Sequence, residues 1–285
     1  MNTSSQNFVP VTARASSGLS VAWPASHSAI AKTYNPLQNG ILGVLPTPEL
    51  NRLLPYLELV KMPFGQVLYE SHERLKYVYF PTTSIVSLQY ILENGATAQI
   101  AMVGNEGMVG VCSFMGGGST PSSAVVQNAG YGYRLKVAHL NDEINNAGAL
   151  LHMLLRYTQA LITQTEQLAV SYRHHSVEQH VCRFLLLSLD RLATNSIVIT
   201  HELMASLLGV RRESVTEAAG SLQRVGLIKY NRGQIEVLNR LKLEEKIFEC
   251  YAIIKSEFDR LLNYIPQVST GHVDTPLNQS SRAFS

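Results

Sequence analysis

LLGVRRESVTEAAGSLQRVGLI, residues 207–228, is the stretch on which the reading of the whole chain turns. Val215, Ala219 and Leu222 recur at i, i+4 and i+7, the spacing of one buried stripe on a helix. That alone describes any packed surface helix. The neighbouring residues narrow the choice. HELMASLL (201–208) reads as a short helix with Thr200 as its N-cap. Gly209 suits a tight turn, because glycine takes a left-handed backbone at little cost. The second helix runs from roughly Arg211 to Arg224, and Gly226 ends it. LIKY (227–230) and QIEVL (234–238) then read as a hairpin around Asn231-Arg232-Gly233. Two helices joined at a glycine and followed by a two-stranded wing make a winged helix-turn-helix.

The face opposite the apolar stripe carries Arg212, Glu213, Thr216, Glu217, Gly220 and Ser221. A helix in the major groove meets base edges with its N-terminal residues. Arg212 matches guanine O6 and N7, and Glu213 can accept from a cytosine amine. Arg211, Ser214 and Thr216 suit phosphates, as does Thr200 at the preceding helix start. Arg232 at the wing tip is placed for the DNA backbone. The alternative is that these are solvated polar residues of a surface helix. Glu217 is the oddity, since a carboxylate repels phosphate and cannot pair bidentately with guanine. It either accepts from cytosine or adenine amines or holds Arg211 or Arg212 in place. Residues 200–240 hold six Lys/Arg against four Asp/Glu, a weak local excess, while the net charge of +2 over 285 residues gives no global sign of nucleic-acid binding.

Three scattered cysteines, Cys112, Cys182 and Cys250, argue against a disulfide scaffold and fit a reducing cytosol as buried small hydrophobes. No pair has metal-ligand spacing, and His174-His175 beside Glu178 reads as a hinge rather than a metal site. No signal peptide and no membrane span are expected, so the chain reads as cytoplasmic. Residues 1–34 and the tail 266–285 are rich in small polar residues and read as disordered arms. Gly104-Asn105-Glu106-Gly107-Met108-Val109-Gly110 and GGGST (116–120) lack the spacing or the lysine of phosphate-binding loops and read as turns. No nucleophile–base–orienter set is present, so no enzyme activity is expected.

Upstream, Thr47 reads as the N-cap of a short helix with Pro48 at its first position. Strand-like runs follow: QVLYE (66–70), KYVYF (76–80), SIVSLQYIL (84–92), TAQIAMV (97–103), SAVVQ (123–127) and YGYRLKV (131–137). Asn94-Gly95 between two of them is a hairpin turn. So many short strands suggest a sandwich or a jelly-roll barrel. From about Asn141 to Tyr172 leucines recur at helical spacing. Leu154, Leu161 and Leu168 lie seven apart, with Thr158, Gln164 and Thr165 near the same stripe. A long helix of that kind is either packed on its own barrel or the seam of a two-stranded dimer whose polar residues set register.

Strand-rich barrel, long helix, winged helix is the order of parts in the Crp/Fnr family of bacterial transcription regulators. The chain resembles that family over about residues 40–262. The likeness is strongest in THELMASLLGVRRESVTEAAGSLQRVGLIKYNRGQIEVLNRLKLEE (200–245). The expected class is α+β: a jelly-roll β-barrel sensor (35–140), a dimerisation helix (141–172) and a winged helix-turn-helix (173–265). The resemblance implies a transcription regulator acting as a homodimer through Leu154, Thr158, Leu161, Thr165 and Leu168. Such a dimer binds a two-fold symmetric site in double-stranded DNA, with recognition helices ~34 Å apart. RNA polymerase is a candidate partner.

Two departures from the family matter. Its recognition helix commonly carries Arg-Glu and then a second Arg four residues on, where this chain has Glu217, so its half-site should differ. Cyclic-nucleotide binders of the family carry Gly-Glu-Leu and then Arg-Ser/Thr-Ala. The matching pocket residues here are Gly107, Gly110, Val111, Ser122 and Ser123. Val111 cannot accept from a ribose hydroxyl, and Ser122 brings no charge. Each loss should cost on the order of 2 kcal/mol, so cAMP control is not expected and the effector is unknown. Three cysteines fall short of the four ligands of an iron–sulfur cluster. Haem stays open among nine histidines, and no cofactor is expected. Two rival classes remain: a dimeric sensor or scaffold that kept the fold but lost groove contacts, and an enzyme built on the glycine-rich loops.

Overall fold

The computed structural model describes residues 35–93 and 95–263. The two expected arms, residues 264–265 and Asn94 of the expected hairpin turn lie outside the described residues. Gly95 itself has a φ of +79°. Asn39 follows a 3-10 turn over Pro36–Gln38 at the start of the described chain. Its side-chain oxygen caps helix α1 (Gly40–Gly43) by accepting from the Ile41 and Leu42 N–H groups. Its amide donates to the carbonyls of Pro81 and Gly107. Helix α2 (Thr47–Leu53) begins one residue before the expected start. Thr47 is its first residue and Pro46 its cap, and no side chain caps it.

Seven strands follow, all paired antiparallel: β1 (Glu58–Met62), β2 (Val67–Tyr69), β3 (Tyr77–Pro81), β4 (Ile85–Ile91), β5 (Thr97–Val103), β6 (Ser123–Asn128) and β7 (Gly130–Lys136). They form two sheets in the orders β1-β7-β3 and β2-β6-β4-β5. The sheets do not close into a barrel, which corrects the closure that was expected but not the double-sheet domain. Each keeps its own edges, and they enclose one core instead. Period-2 alternation sends Val78 and Phe80 of β3, Val86 and Leu88 of β4, Ala101 and Val103 of β5 and Leu135 of β7 into that core. β1 is a strand that sequence reading passed over. It is held on β7, where Glu58 pairs with Arg134 at 2.7 Å.

The expected single helix from Asn141 is two: α3 (Val137–Ile144) and α4 (Ala149–His174). Asn145-Asn146-Ala147-Gly148 breaks them, with Ala147 at a φ of +50°. Glu49 of α2 reaches across to cap α4, its carboxylate accepting from the Ala149 and Leu150 N–H groups at 3.0 and 2.9 Å. A negative charge there satisfies two orphan donors and complements the helix dipole.

Helix α4 has three faces. Leu150, Met153, Leu154, Tyr157 and Leu161 enter the sheet core, and Leu168 enters the second core, built by the C-terminal helices. The expected seam Leu154–Leu161–Leu168 is therefore spent inside the chain. Its polar members are also satisfied internally, because Thr158 and Thr165 donate to the Leu154 and Leu161 carbonyls one turn back. Gln164 is fully buried, accepting from the Met102 N–H at 2.7 Å and donating to the Met102 carbonyl at 3.3 Å. It completes the free edge of β5 as another strand would. On the second face lies α9 (Phe248–Leu262). Arg156 donates to the carbonyls of Leu261 and Arg260 at its end, and Glu249 at its start acts on His175 beyond the end of α4, so the two helices run antiparallel. The third face exposes Leu155, Ile162 and Val170, each about half accessible.

Ser176 and Gln179 form a reciprocal capping box at the start of α5 (Val177–Leu189). Strand β8 (Ser196–Val198), α6 (His201–Leu208), α7 (Arg212–Arg224), β9 (Ile228–Asn231), β10 (Gln234–Val237) and α8 (Arg240–Lys246) complete the order. The wing has a third strand, in the order β8-β10-β9. The expected last helix 241–265 is interrupted at Ile247, whose φ of −134° separates α8 from α9. No described helix is long and apolar enough to cross a membrane.

Candidate nucleic-acid interface

Local sequence explains the geometry of α6, α7 and the wing. The Thr200 hydroxyl accepts from the Leu203 N–H and starts α6. Gly209 ends it in the left-handed region at φ +65°, where a side chain would be strained. Met204, Ala205, Leu207 and Leu208 of α6 and Val215, Ala218, Ala219 and Leu222 of α7 share one core with α5. At the wing, Arg232 and Gly233 both have positive φ, +46° and +81°, closing β9 on β10 with a two-residue turn.

Packing α7 by Val215, Ala219 and Leu222 leaves Arg211, Arg212, Glu213, Thr216 and Glu217 exposed and Ser214 half-buried. Arg211 holds the N-cap position with no side-chain cap bond. Three expected roles shift. The carboxylate nearest Arg212 is Glu202 of α6, at 3.7 Å, with both side chains largely exposed, and not Glu217. Thr216 is occupied within the protein. Its hydroxyl donates to the Arg212 carbonyl at 3.0 Å, which leaves its oxygen to accept from His201 Nδ1 at 3.0 Å. Ser221 turns sideways to Glu178, whose carboxyl is held below its usual range by bonds to Lys246 and then Ser221. Glu178 and Lys246 are paired at 2.6 Å.

Sequence reading missed His201. Its ring stacks on Tyr230 of the wing, 4.1 Å between centroids, and joins α6, α7 and β9 at one point. Burial, and then Arg212, pull its pKa below the usual histidine value, so the neutral ring with a proton on Nδ1 fits the bond to Thr216. Lys229 of β9 stands exposed on the wing strand, opposite Glu236 of β10.

The joint between α4 and α5 is polar and buried. Ser171 accepts from Arg183 Nη1 and bonds His175 Nδ1 at 2.8 Å, and His180 Nε2 bonds the Ser171 carbonyl at 3.0 Å. The Arg183 guanidinium also lies 5.2 Å over the Tyr172 ring. The pKa values of Arg183, His175 and His180 are all lowered, in each case mainly by burial. Among the described residues no group of three or more His, Cys, Asp or Glu could hold a metal ion.

The expected effector pocket takes a different form. Gly107 lies under the Tyr157 ring, where an added Cβ would come within 2.4 Å of its carbons and hydroxyl. Tyr157 is fully buried, and the Met108 backbone is the hydrogen-bonding group that acts on its hydroxyl. Gly110 takes a φ of +106°, and Val111 opens a 3-10 turn. Ser122 bonds Tyr69, whose hydroxyl burial holds protonated, and Ser123 donates to the Gln89 carbonyl at 3.4 Å.

The structure is a double-sheet domain joined by a long helix to a winged helix-turn-helix. Residues 179–246 match the Crp-like helix-turn-helix domain. The global nitrogen regulator of Synechococcus elongatus is 21% identical over 200 residues, 67% of this chain and 90% of that protein. The fold is similar to a CRP-family transcriptional regulator of Thermus thermophilus (TM-score 0.56, 18% identity, 67% of this chain and 97% of that one). It is also similar to FixK2 of Bradyrhizobium japonicum (TM-score 0.55, 17% identity, 67% and 96%). The chain thus shares the fold of these CRP-family regulators, and its residues 179–246 are similar to a Crp-like helix-turn-helix domain.

Proposed function

We propose that the protein is a homodimeric, sequence-specific DNA-binding transcription regulator that does not respond to cAMP. The observation that carries the reading is the exposed N-terminal half of α7. Arg211, Arg212 and Glu213 stand clear of the protein at the start of a helix whose other face is fully packed. Arg212 is the base-reading cation, and Glu202 orients it. Arg211, Lys229 and Arg232 hold phosphates. Glu217, free of any arginine partner, faces the groove as an acceptor and favours cytosine or adenine amines over guanine.

Dimerisation through α4 would use Leu155, Ile162 and Val170, one or two positions on from the stripe expected from sequence. Independence from cAMP is supported by Tyr157 against Gly107, and by Val111 and Ser122 standing where a ribose acceptor and a phosphate-binding cation are needed. RNA polymerase remains a partner that the class suggests. The test is footprinting on the protein's own upstream region, followed by binding titrations with Arg212→Ala. Loss of a bidentate base contact should cost about 1–3 kcal/mol and relax one position of each half-site. Unchanged specificity in that variant would refute the assigned reading face.

A further inference from the structure

The two faces of the β2-β6-β4-β5 sheet differ in kind. Val86, Leu88, Ala124 and Val126 point into the shared core. Their neighbours Ser87 and Gln127 point the other way, where an uncovered sheet would meet water. Here α6 lies over that face, with the Thr97 and Ser206 hydroxyls 2.6 Å apart at its rim. Ser87, Gln99 and Gln127 are consequently at least 95% buried. The Gln99 amide donates to Ser87 Oγ at 3.0 Å and to Gln127 Oε1 at 2.8 Å. In that arrangement the Gln127 oxygen faces Gln99. The Gln127 nitrogen is buried with no partner. Buried donors are almost always satisfied, so an orphan amide nitrogen on a residue that lines a cavity marks an unmet donor.

A cavity is present. About 160 Å³ of space lies between sheet and helix, lined by Gln127, Ser87, Gln89 and Thr97 from the sheet and by Ser206 from α6. Phe64, Leu203 and Leu207 give it an apolar wall. At about 10–15 Å³ per water this volume exceeds one bridging water several-fold. No lining residue is charged, so an ionic ligand would leave its charge unpaired. Donors on one side and hydrocarbon on the other suit a carbonyl group attached to a short apolar body.

We propose that this cavity is a binding site for a small uncharged carbonyl compound, of the amide, lactam or lactone class, whose oxygen accepts from Gln127 Nε2. The site is outside the sheet core where Gly107 and Val111 lie. Its roof is the first helix of the helix-turn-helix, so occupancy bears on how α6, and through Gly209 α7, sits on the sheet. That second part rests on the DNA-binding reading, whereas the binding site itself does not.

The test uses the full chain with butyramide, 2-pyrrolidinone and γ-butyrolactone as probes, and butyrate and butylamine as charged controls. Saturation-transfer NMR and calorimetry are the readouts. Fragments of this size bind at about millimolar Kd. The neutral probes should saturate, and the charged ones should bind at least about tenfold more weakly. Gln127→Leu, which removes the donor, and Gln127→Glu, which keeps the shape and presents an acceptor, should each weaken the neutral probes about tenfold. Absence of saturation by every neutral probe at about 10 mM overturns the site. Equal binding to wild type and both variants overturns it too, as does a high-resolution map in which waters hold Gln127 and no probe displaces them. With probe bound, the affinity for footprinted DNA should shift at least threefold. Saturable binding with unchanged DNA affinity would refute the coupling. Saturable binding by a protein that footprints no DNA would instead refute the reading of α7 and leave the site standing.

Discussion

Gln164→Leu removes the side chain that closes the edge of β5 and leaves the Met102 N–H and carbonyl without a partner in a fully buried place. Each unmet backbone group costs about 1–3 kcal/mol. The 3.3 Å bond to the carbonyl is the weaker of the two, and the leucine recovers about 1 kcal/mol of apolar burial. The expected loss is about 2–3 kcal/mol, or a melting temperature lower by about 5–10 °C for a chain of this size. Urea unfolding at two protein concentrations is the assay. The loss should not depend on concentration, because both partners belong to one chain. Gln164→Glu sharpens the test. Its carboxylate accepts from the N–H but faces the carbonyl, and burial raises its folded pKa. Raised above its unfolded value, that group makes the variant gain stability relative to wild type as pH falls from 7 toward 5. A loss below about 0.5 kcal/mol in Gln164→Leu would refute the edge-closing role. A loss that grows on dilution would return Gln164 to a dimer seam.

Three further outcomes follow from the same structure. Leu155→Lys with Ile162→Lys should lower the dimer population in sedimentation velocity and leave the far-ultraviolet dichroism unchanged, since neither side chain enters a core. Arg232→Ala should weaken DNA binding nearly equally across sequences and reduce the slope of log K against log salt by about 1, measured by fluorescence anisotropy. The lowered pKa values of His175, His180 and His201 carry a definite sign. Between the folded and unfolded values the unfolded chain binds more protons, so stability is full above about pH 6.5 and falls as pH drops below it. Melting curves should move down from pH 7 toward pH 5, and His180→Asn, which removes the most buried of the three rings, should flatten that trend.

The helix-turn-helix was legible because its signals are local. Thr200, Gly209 and the Asn231-Arg232-Gly233 turn each act within a few residues, and Val215, Ala219 and Leu222 fix the buried face without help from afar. The long helix was not legible in the same way. Periodicity finds apolar faces but does not say what covers them, and α4 meets the sheets, α9 and the exterior in turn. Its true start depends on Glu49, a hundred residues earlier. Strand β1 was missed because its partner β7 lies some seventy residues on, and ELVKM by itself does not alternate. In the candidate site, exposure of Arg212 and Glu217 followed from spacing. The occupation of Thr216 by His201 and the turning of Ser221 to Glu178 did not, because each needs an element from outside the helix.

Strand β5 and the loop after it join the sheets to the helical half of the chain. Thr97 meets Ser206 of α6, the Gln99 carbonyl accepts from Tyr172 near the end of α4, Met102 is held by Gln164, and Glu106 pairs at 2.8 Å with Arg191 just past α5. The contacts at Thr97, Gln99, Met102 and Glu106 tie this strand and its loop to α6, to α4 at two places, and to the residue just past α5. An edge strand normally exposes a row of unpaired groups; here the row is the joint itself. Two arrangements of such a joint, one with α6 seated on the sheet and one with it lifted, differ by a few hydrogen bonds and the filling of one cavity. That is the scale of energy a small ligand supplies. The physical warrant for coupling is a two-state element that both sites bias, and α6 on the β5 edge is the element in this chain placed to be one.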